Sequence, residues 1–198
     1  MLDYIQGNIA EKNPTQVVME NGGLGYQVNI SLNTFSKIQH LQQCKLFTYL
    51  HVGGGLQSPL TFSLYGFYDL NEREVFSNLL SVSGVGASTV RMMLSSMSPE
   101  EIQRAIVMGN SKLLEGIKGI GPKSAQRIIL ELKDKMAKGM EKQSITYSPQ
   151  NNLREEALSA LVMLGSNRNN AEQTLNKLLK ENPNLTIEEM IKQALKGM

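Results

Sequence analysis

The chain has 198 residues, 41% of them apolar and 19% charged, with a formal net charge of +2. This is the composition of an ordinary globular protein of one large or two to three small domains; it excludes a disordered chain and a generally basic one, so any nucleic-acid footprint must be local. No apolar run approaches membrane-spanning length, and the opening MLDYIQGNI lacks a basic region followed by an apolar one, so neither a membrane span nor a secretory signal is expected.

Residues 1–67 read as strands. YIQGNIAEKN, TQVVMEN, GYQVNISL, KLFTYLHV and TFSLYGF are rich in β-branched and aromatic residues, with turn residues such as Asn21, Gly22 and Gly23 between them. TFSKIQHL reads as a short helix between the third and fourth strands. Five short strands in so small a unit point to a closed barrel, which leaves no exposed edge. An OB-type barrel is favoured, with an SH3-like barrel as the competitor. The single cysteine, Cys44, sits on the fourth strand as a small buried hydrophobe; it allows no intrachain disulfide and fits a reducing cytoplasm.

Residues 68–138 read as helix throughout. NEREVFSNLLSV has apolar residues at helical spacing. SPEEIQRAIVM opens with Ser98, Pro99 and Glu101, a capping box with a proline start, and PKSAQRIILELKDKM begins a long helix at Pro122. Residues 139–152, GMEKQSITYSPQNN, are polar without a sustained period and read as a flexible linker. LREEALSALVMLG, NNAEQTLNKLLKE and TIEEMIKQALKG then suggest a three-helix bundle over 153–198, marginal by itself, whose last helix opens with the capping pair Thr186 and Glu189. The fold class expected is multidomain α+β.

The helical segment repeats itself. A shift of 35 positions superposes Leu79 on Leu114, Val82 on Ile117, Gly84 on Gly119, Val85 on Ile120, Gly86 on Gly121 and Leu94 on Ile129. Each copy is helix, Gly-apolar-Gly turn, helix. Val85 and Ile120 can tuck inward, while the glycines permit positive φ and leave the backbone bare. Successive N–H groups then open at the head of the following helix, where orphan donors and the helix dipole favour an anion such as phosphate. Lys118 and Lys123 flank the second turn and Arg127 lies one helical turn on. A dinucleotide loop is disfavoured because Ser124 replaces the third glycine and the turn follows a helix. In a nucleotide P-loop, Pro122 would stand where lysine belongs. A plain ligand-free turn is the remaining competitor, and two basic-flanked copies weigh against it.

VSGVGASTVRMML and IKGIGPKSAQRII resemble paired helix-hairpin-helix motifs, which bind the DNA backbone without reading sequence. Together with the barrel, the linker, the bundle and the strings GGLGYQVNISLNTF and LYGFYDLNEREVFSNLL, they make the whole chain similar to the RuvA family of Holliday-junction-binding subunits. That resemblance implies a four-fold plate of four subunits, or eight in two plates, on an open four-way DNA junction in recombination, DNA repair and the response to DNA damage, in the cytoplasm. The amides of Gly84, Val85, Gly86, Gly119, Ile120 and Gly121 would contact phosphates, with Lys118, Lys123 and Arg127 adding charge. The bundle would recruit the hexameric RuvB ATPase, with Leu161, Leu164 and Leu195 at contact positions, and RuvC resolvase would act through the same junction.

This chain also departs from the family. The family carries adjacent acidic residues between the last two barrel strands, which repel phosphates at the junction centre. Here no carboxylate occurs between Val52 and Leu64, so either strands part differently or the acidic role comes from elsewhere. Ser88 stands where the second hairpin has Lys123, which shifts the first grip to backbone amides and Arg91. Ser166 replaces a frequent aromatic. A helix-hairpin-helix glycosylase is the enzyme alternative, but Asp134 reads as a solvated helix end between Lys133 and Lys135, and His40 and His51 lack a metal-binding cluster. No catalysis, cofactor or metal is expected. A general barrel-plus-hairpin binder of duplex or single strands is the other alternative.

Overall fold

Alternation places Val17 and Met19, then Val28 and Ile30, on one buried face of successive strands, and that face closes on itself. The structure, a computed structural model, describes residues 2–55, 58–144, 149–182 and 185–197. Strands β1 (Tyr4–Asn13), β2 (Gln16–Asn21), β3 (Leu24–Asn29), β4 (Gln43–Gly55) and β5 (Ser58–Phe67) form a closed barrel in the order β1-β2-β3-β5-β4. Closure comes from antiparallel pairing of β1 with β4, Tyr4↔Phe47 to Asn8↔Gln43, and from the parallel pair Asn29↔Tyr65 between β3 and β5. Helix α1 (Leu32–Ile38), capped by Ser31, lies between β3 and β4 and buries Ile38 in the barrel core. This five-stranded closure with its inserted helix is the OB-type barrel expected. Cys44 is half-buried, its Sγ 3.8 Å from Met19 Sδ, and burial pushes its thiol pKa up.

The last two strands outrun the barrel. From Leu50 on β4 and up to Ser63 on β5, the ladder partners lie only in each other, and the register shifts between Gly53 and Gly55. The sequence ended these strands early because Gly53, Gly54, Gly55 and Pro59 carry little strand signal.

Five helices follow: α2 (Leu70–Leu80), α3 (Ala87–Ser96), α4 (Pro99–Val107), α5 (Ser111–Glu115) and α6 (Pro122–Ser144). The capping box on α4 forms as predicted, Ser98 N donating to Glu101 Oε2 at 2.8 Å and Glu101 N to Ser98 Oγ at 3.2 Å. The barrel keeps its own core of Ile5, Val17, Met19, Val28, Ile30, Ile38 and Leu46, while Tyr65 and Phe67 on its outer side belong to a second core with the helices. Phe76 of α2 meets Phe67 and Tyr65 of β5 at ring-centroid distances of 4.9 and 5.0 Å, and Tyr49 of β4 at 5.3 Å. Glu72, one turn earlier on α2, is fully buried and accepts hydrogen bonds from the hydroxyls of Ser31 and, at 2.8 Å, Thr34. Arg73 donates to the Asp3 carboxylate at 2.6 Å, and Lys37 pairs with Asp69. Residues 1–142 are accordingly one compact unit.

Residues 143–198 form the second unit. Its helices α7 (Pro149–Met163), α8 (Arg168–Glu181) and α9 (Ile187–Gly197) bury Ala157, Leu158, Leu161, Ala171, Leu175, Met190 and Ala194 together. The alanines let the helices approach closely. Thr186 and Glu189 close the head of α9 reciprocally. Of the linker expected over 139–152, α6 occupies residues up to Ser144 and α7 those from Pro149, while 145–148 lie outside the described residues.

Two outcomes follow from the joint. Phe76→Ala should cost about 3–5 kcal/mol, read as a lowered denaturant midpoint. Burial raises the Glu72 pKa above the ordinary 4.5, opposed by the Ser31 and Thr34 hydroxyls and by Lys37, and reinforced by Asp69. The native state therefore binds this proton more readily than the unfolded chain, and the carboxyl's contribution is lost as pH rises from 4.5 through the raised value. Glu72→Gln should remove that loss. Its stability relative to the parent, measured by urea unfolding across this window, should rise with pH and then level off; a pH-independent difference would contradict the assignment.

Candidate nucleic-acid interface

The two glycine turns fold alike, bond for bond. In the first, Val85 N donates to Val82 O at 3.1 Å and Val90 N to Gly86 O at 3.0 Å; in the second, Ile120 N donates to Ile117 O at 3.0 Å and Ala125 N to Gly121 O at 2.9 Å. Val85 and Ile120 are buried in the helical core, so each turn is anchored by its central residue. Gly84 and Gly119 have φ of +84 and +95, a region that disfavours any side chain.

Gly86 and Gly121 are glycine for a different reason. Gly86 has φ −88, ordinary extended backbone, and a Cβ added at either position would meet nothing within 4 Å. Packing within the fold therefore does not require glycine at either position. Both residues are exposed. Helices α1, α4, α5 and α8 are closed by the side chains of Ser31, Ser98, Asn110 and Asn167, whereas Gly86 offers α3 no such cap. Among the described residues no intrachain acceptor takes the N–H of Gly86 or Ser88, nor of Gly121 or Lys123. Bare backbone, free donors and a helix N-terminus coincide at each turn, the combination that favours an anion.

The basic residues are distributed differently from the sequence reading. Lys118 and Lys123 are exposed beside the second turn and, among the described residues, make no ion pair. Arg127 reaches across to the first turn, its Nη1 donating to Ser83 O at 3.1 Å and lying 3.8 Å from the Cβ position of Gly84. Thr89 returns the contact, its Cγ2 3.6 Å from the Cβ position of Gly119. The hairpins are thus cross-braced, and Arg127 supplies the first turn with the charge that Ser88 lacks. Arg91 is directed to the barrel instead, its Nη1 3.3 Å from both Thr15 O and Asn29 Oδ1. The sequence did not reveal Ser83 and Thr89, because their role exists only once the two copies lie side by side.

In the second unit Leu161 is fully buried in the bundle core, while Leu164 and Leu195 are 63% and 48% exposed. The tail of α7 turns at Gly165, φ +95, with Ser166 N on Leu161 O at 3.0 Å, which leaves Met163 and Leu164 at the surface.

An OB-type barrel fused to cross-braced tandem hairpins, followed along the chain by a separate helical bundle, defines a class of multidomain helix-hairpin-helix protein. Family models agree with that division: one described as RuvA N terminal domain matches residues 1–66, a SAM-like helix-hairpin-helix tandem matches 76–134, and a RuvA C-terminal domain matches 152–198. The chain is 47% identical over 198 residues to a protein of Christiangramia forsetii and 43% identical over 198 residues to one of Flavobacterium psychrophilum, each covering 100% of both chains. A protein of Cytophaga hutchinsonii is 44% identical over 203 residues, 99% of each chain. All three are named Holliday junction branch migration complex subunit RuvA. The chain belongs to the RuvA family.

The glycine pair yields a direct test. Gly86→Val with Gly121→Val should leave the protein folded, since both side chains enter open space, at a cost of about 0.5–2 kcal/mol per site because valine caps a helix poorly. DNA affinity should fall by about 1.5–3 kcal/mol for each charge-assisted amide bond lost. Unchanged affinity in the folded variant would show that the turns grip nothing.

Proposed function

We propose that this protein binds open four-way DNA junctions through their phosphate backbones and couples them to the hexameric ATPase RuvB for branch migration, without catalysing a reaction itself. The observation that carries the reading is the pair of matched turns whose second glycines, Gly86 and Gly121, open onto empty space beside unpaired amides. Family membership and the relatives' shared name support the same conclusion.

In this reading each subunit holds one duplex arm. Two cradles fixed by the Arg127–Ser83 brace take phosphates a set distance apart, with Lys118 and Lys123 adding charge at the second. Amides carry no base information, so preference for a junction comes from four arms meeting four symmetric copies. A tetramer, or an octamer of two plates, is the assembly this requires, with the barrel on the junction face. The second unit carries the motor contact through Leu164 and Leu195, and RuvC acts on the same junction. Neither cofactor nor metal enters the scheme, and its place is the cytoplasm.

Competition of a labelled four-way junction against unlabelled duplex of equal arm length, at physiological salt, tests the proposal. Strong junction preference with four or eight subunits on the bound species is the expected result, together with a steep loss of affinity as salt rises, because phosphate neutralisation releases counterions. Equal competition by duplex, or a monomer on DNA, would reduce the hairpins to a general backbone grip.

A further inference from the structure

The β4–β5 ribbon carries chemistry that the cradles do not use. Leu50↔Leu64 and Val52↔Phe62 are directly opposed ladder pairs, so these side chains share one face, and Leu60, two residues from Phe62, joins them. Tyr49, His51 and Tyr65 occupy the other face, where Tyr49 and Tyr65 pack on Phe76 and His51 meets Tyr65 edge-on. The apolar face therefore extends the barrel's interior surface, in which Leu46 is fully buried, past the point where β1 and β3 cease to pair with these strands. With no wall opposite, Val52, Leu60 and Phe62 are 52%, 67% and 69% exposed. From Gln43 to Tyr68 the chain has no Asp or Glu.

What covers this face follows from its size, its charge and its place. The strip is a handful of side chains, far short of the roughly 800 Å² per partner that a stable protein interface buries. In an OB barrel the β4–β5 connection is one of the elements that hold oligonucleotides. An exposed aromatic ring accepts any base by stacking, and apolar side chains serve elsewhere as wedges between base steps. The lack of carboxylates removes the repulsion that would hold a phosphate backbone away. We propose that the ribbon is an apolar wedge: Phe62, backed by Leu60 and Val52, stacks on unpaired bases where the strands of a junction part. The wedge rests on the junction-binding reading above. It separates strands by contact with bases, in place of the electrostatic exclusion that the family resemblance implied.

The chain contains no tryptophan, so Phe62→Trp places a sole indole at the wedge. Binding is followed separately by anisotropy of an end-labelled junction. Saturation with a four-way junction having an unpaired centre should quench the indole emission by about half or more through stacking, and saturation with duplex should leave it unchanged. Full binding of the junction without quenching overturns the wedge while the junction reading stands. Emission that follows protein concentration and ignores DNA also overturns it, because the ribbons then pack on one another. Absence of any anisotropy rise on the junction sinks the junction reading itself. As a second variant, Phe62→Ser with Leu60→Ser should bind duplex within about 3-fold of the parent but lose about tenfold or more on the open junction. Equal losses on both DNAs, or none on either, would overturn the proposal.

Discussion

The position of the glycine turns relative to the barrel depends on how α2 sits against it. Phe76 is held by rings from two strands, and that contact alone would tolerate sliding, since apolar burial is non-directional. Glu72 removes the freedom. Its carboxylate is buried and must be met by donors, and Ser31 and Thr34 supply them from the first turn of α1. Breaking either bond leaves a polar group unsatisfied in the interior, which costs more than the bond itself contributes. The helix is thereby fixed in rotation as well as in place. Because α2 leads straight into the first glycine turn, the joint also sets where that cradle points relative to the β4–β5 ribbon.

Within each cradle the two glycines divide the work. Gly84 and Gly119 serve the chain, adopting a backbone conformation that closes the turn and returns Val85 or Ile120 to the core. Gly86 and Gly121 are not required by the chain, since nothing in the protein occupies the space a side chain would take; on the junction-binding reading they serve the DNA. Both kinds recur in both copies of the repeat, although the surrounding residues differ. The difference in charge between copies is repaired across the pair: Arg127 belongs to the second hairpin by sequence and to the first by contact.

Much of this was legible in the sequence. Period-two and period-3.6 patterns marked the strands and helices, the Ser98 and Thr186 capping boxes appeared as read, and the 35-residue repeat located both turns. What escaped was whatever depends on long-range packing. Arg91 reads as a cation near a glycine turn, yet its side chain lies against Thr15 and Asn29, far away in sequence. Leu161 and Leu164 fall on similar positions of one apolar run, and only the bundle decides that the first is core and the second surface. The ribbon was hidden because Gly53, Gly54, Gly55 and Pro59 are poor strand formers, whereas in the fold the ladder carries on through them.

A net charge of +2 looks small for a protein that meets a polyanion, as the junction-binding reading requires, and the glycine turns offer a way for it to suffice. Backbone amides concentrate positive potential at the helix N-termini without adding net charge, so on that reading the grip is local. The same choice bears on motion. A contact made by amides to phosphate is equivalent at every nucleotide, so a duplex advancing by one base pair meets the same energy as before, with no sequence at which it stalls. Long basic side chains reading base edges would create such stalls. On the junction-binding reading, bare glycine turns are therefore suited to holding DNA that must keep moving, and shape alone is left to decide which DNA is held.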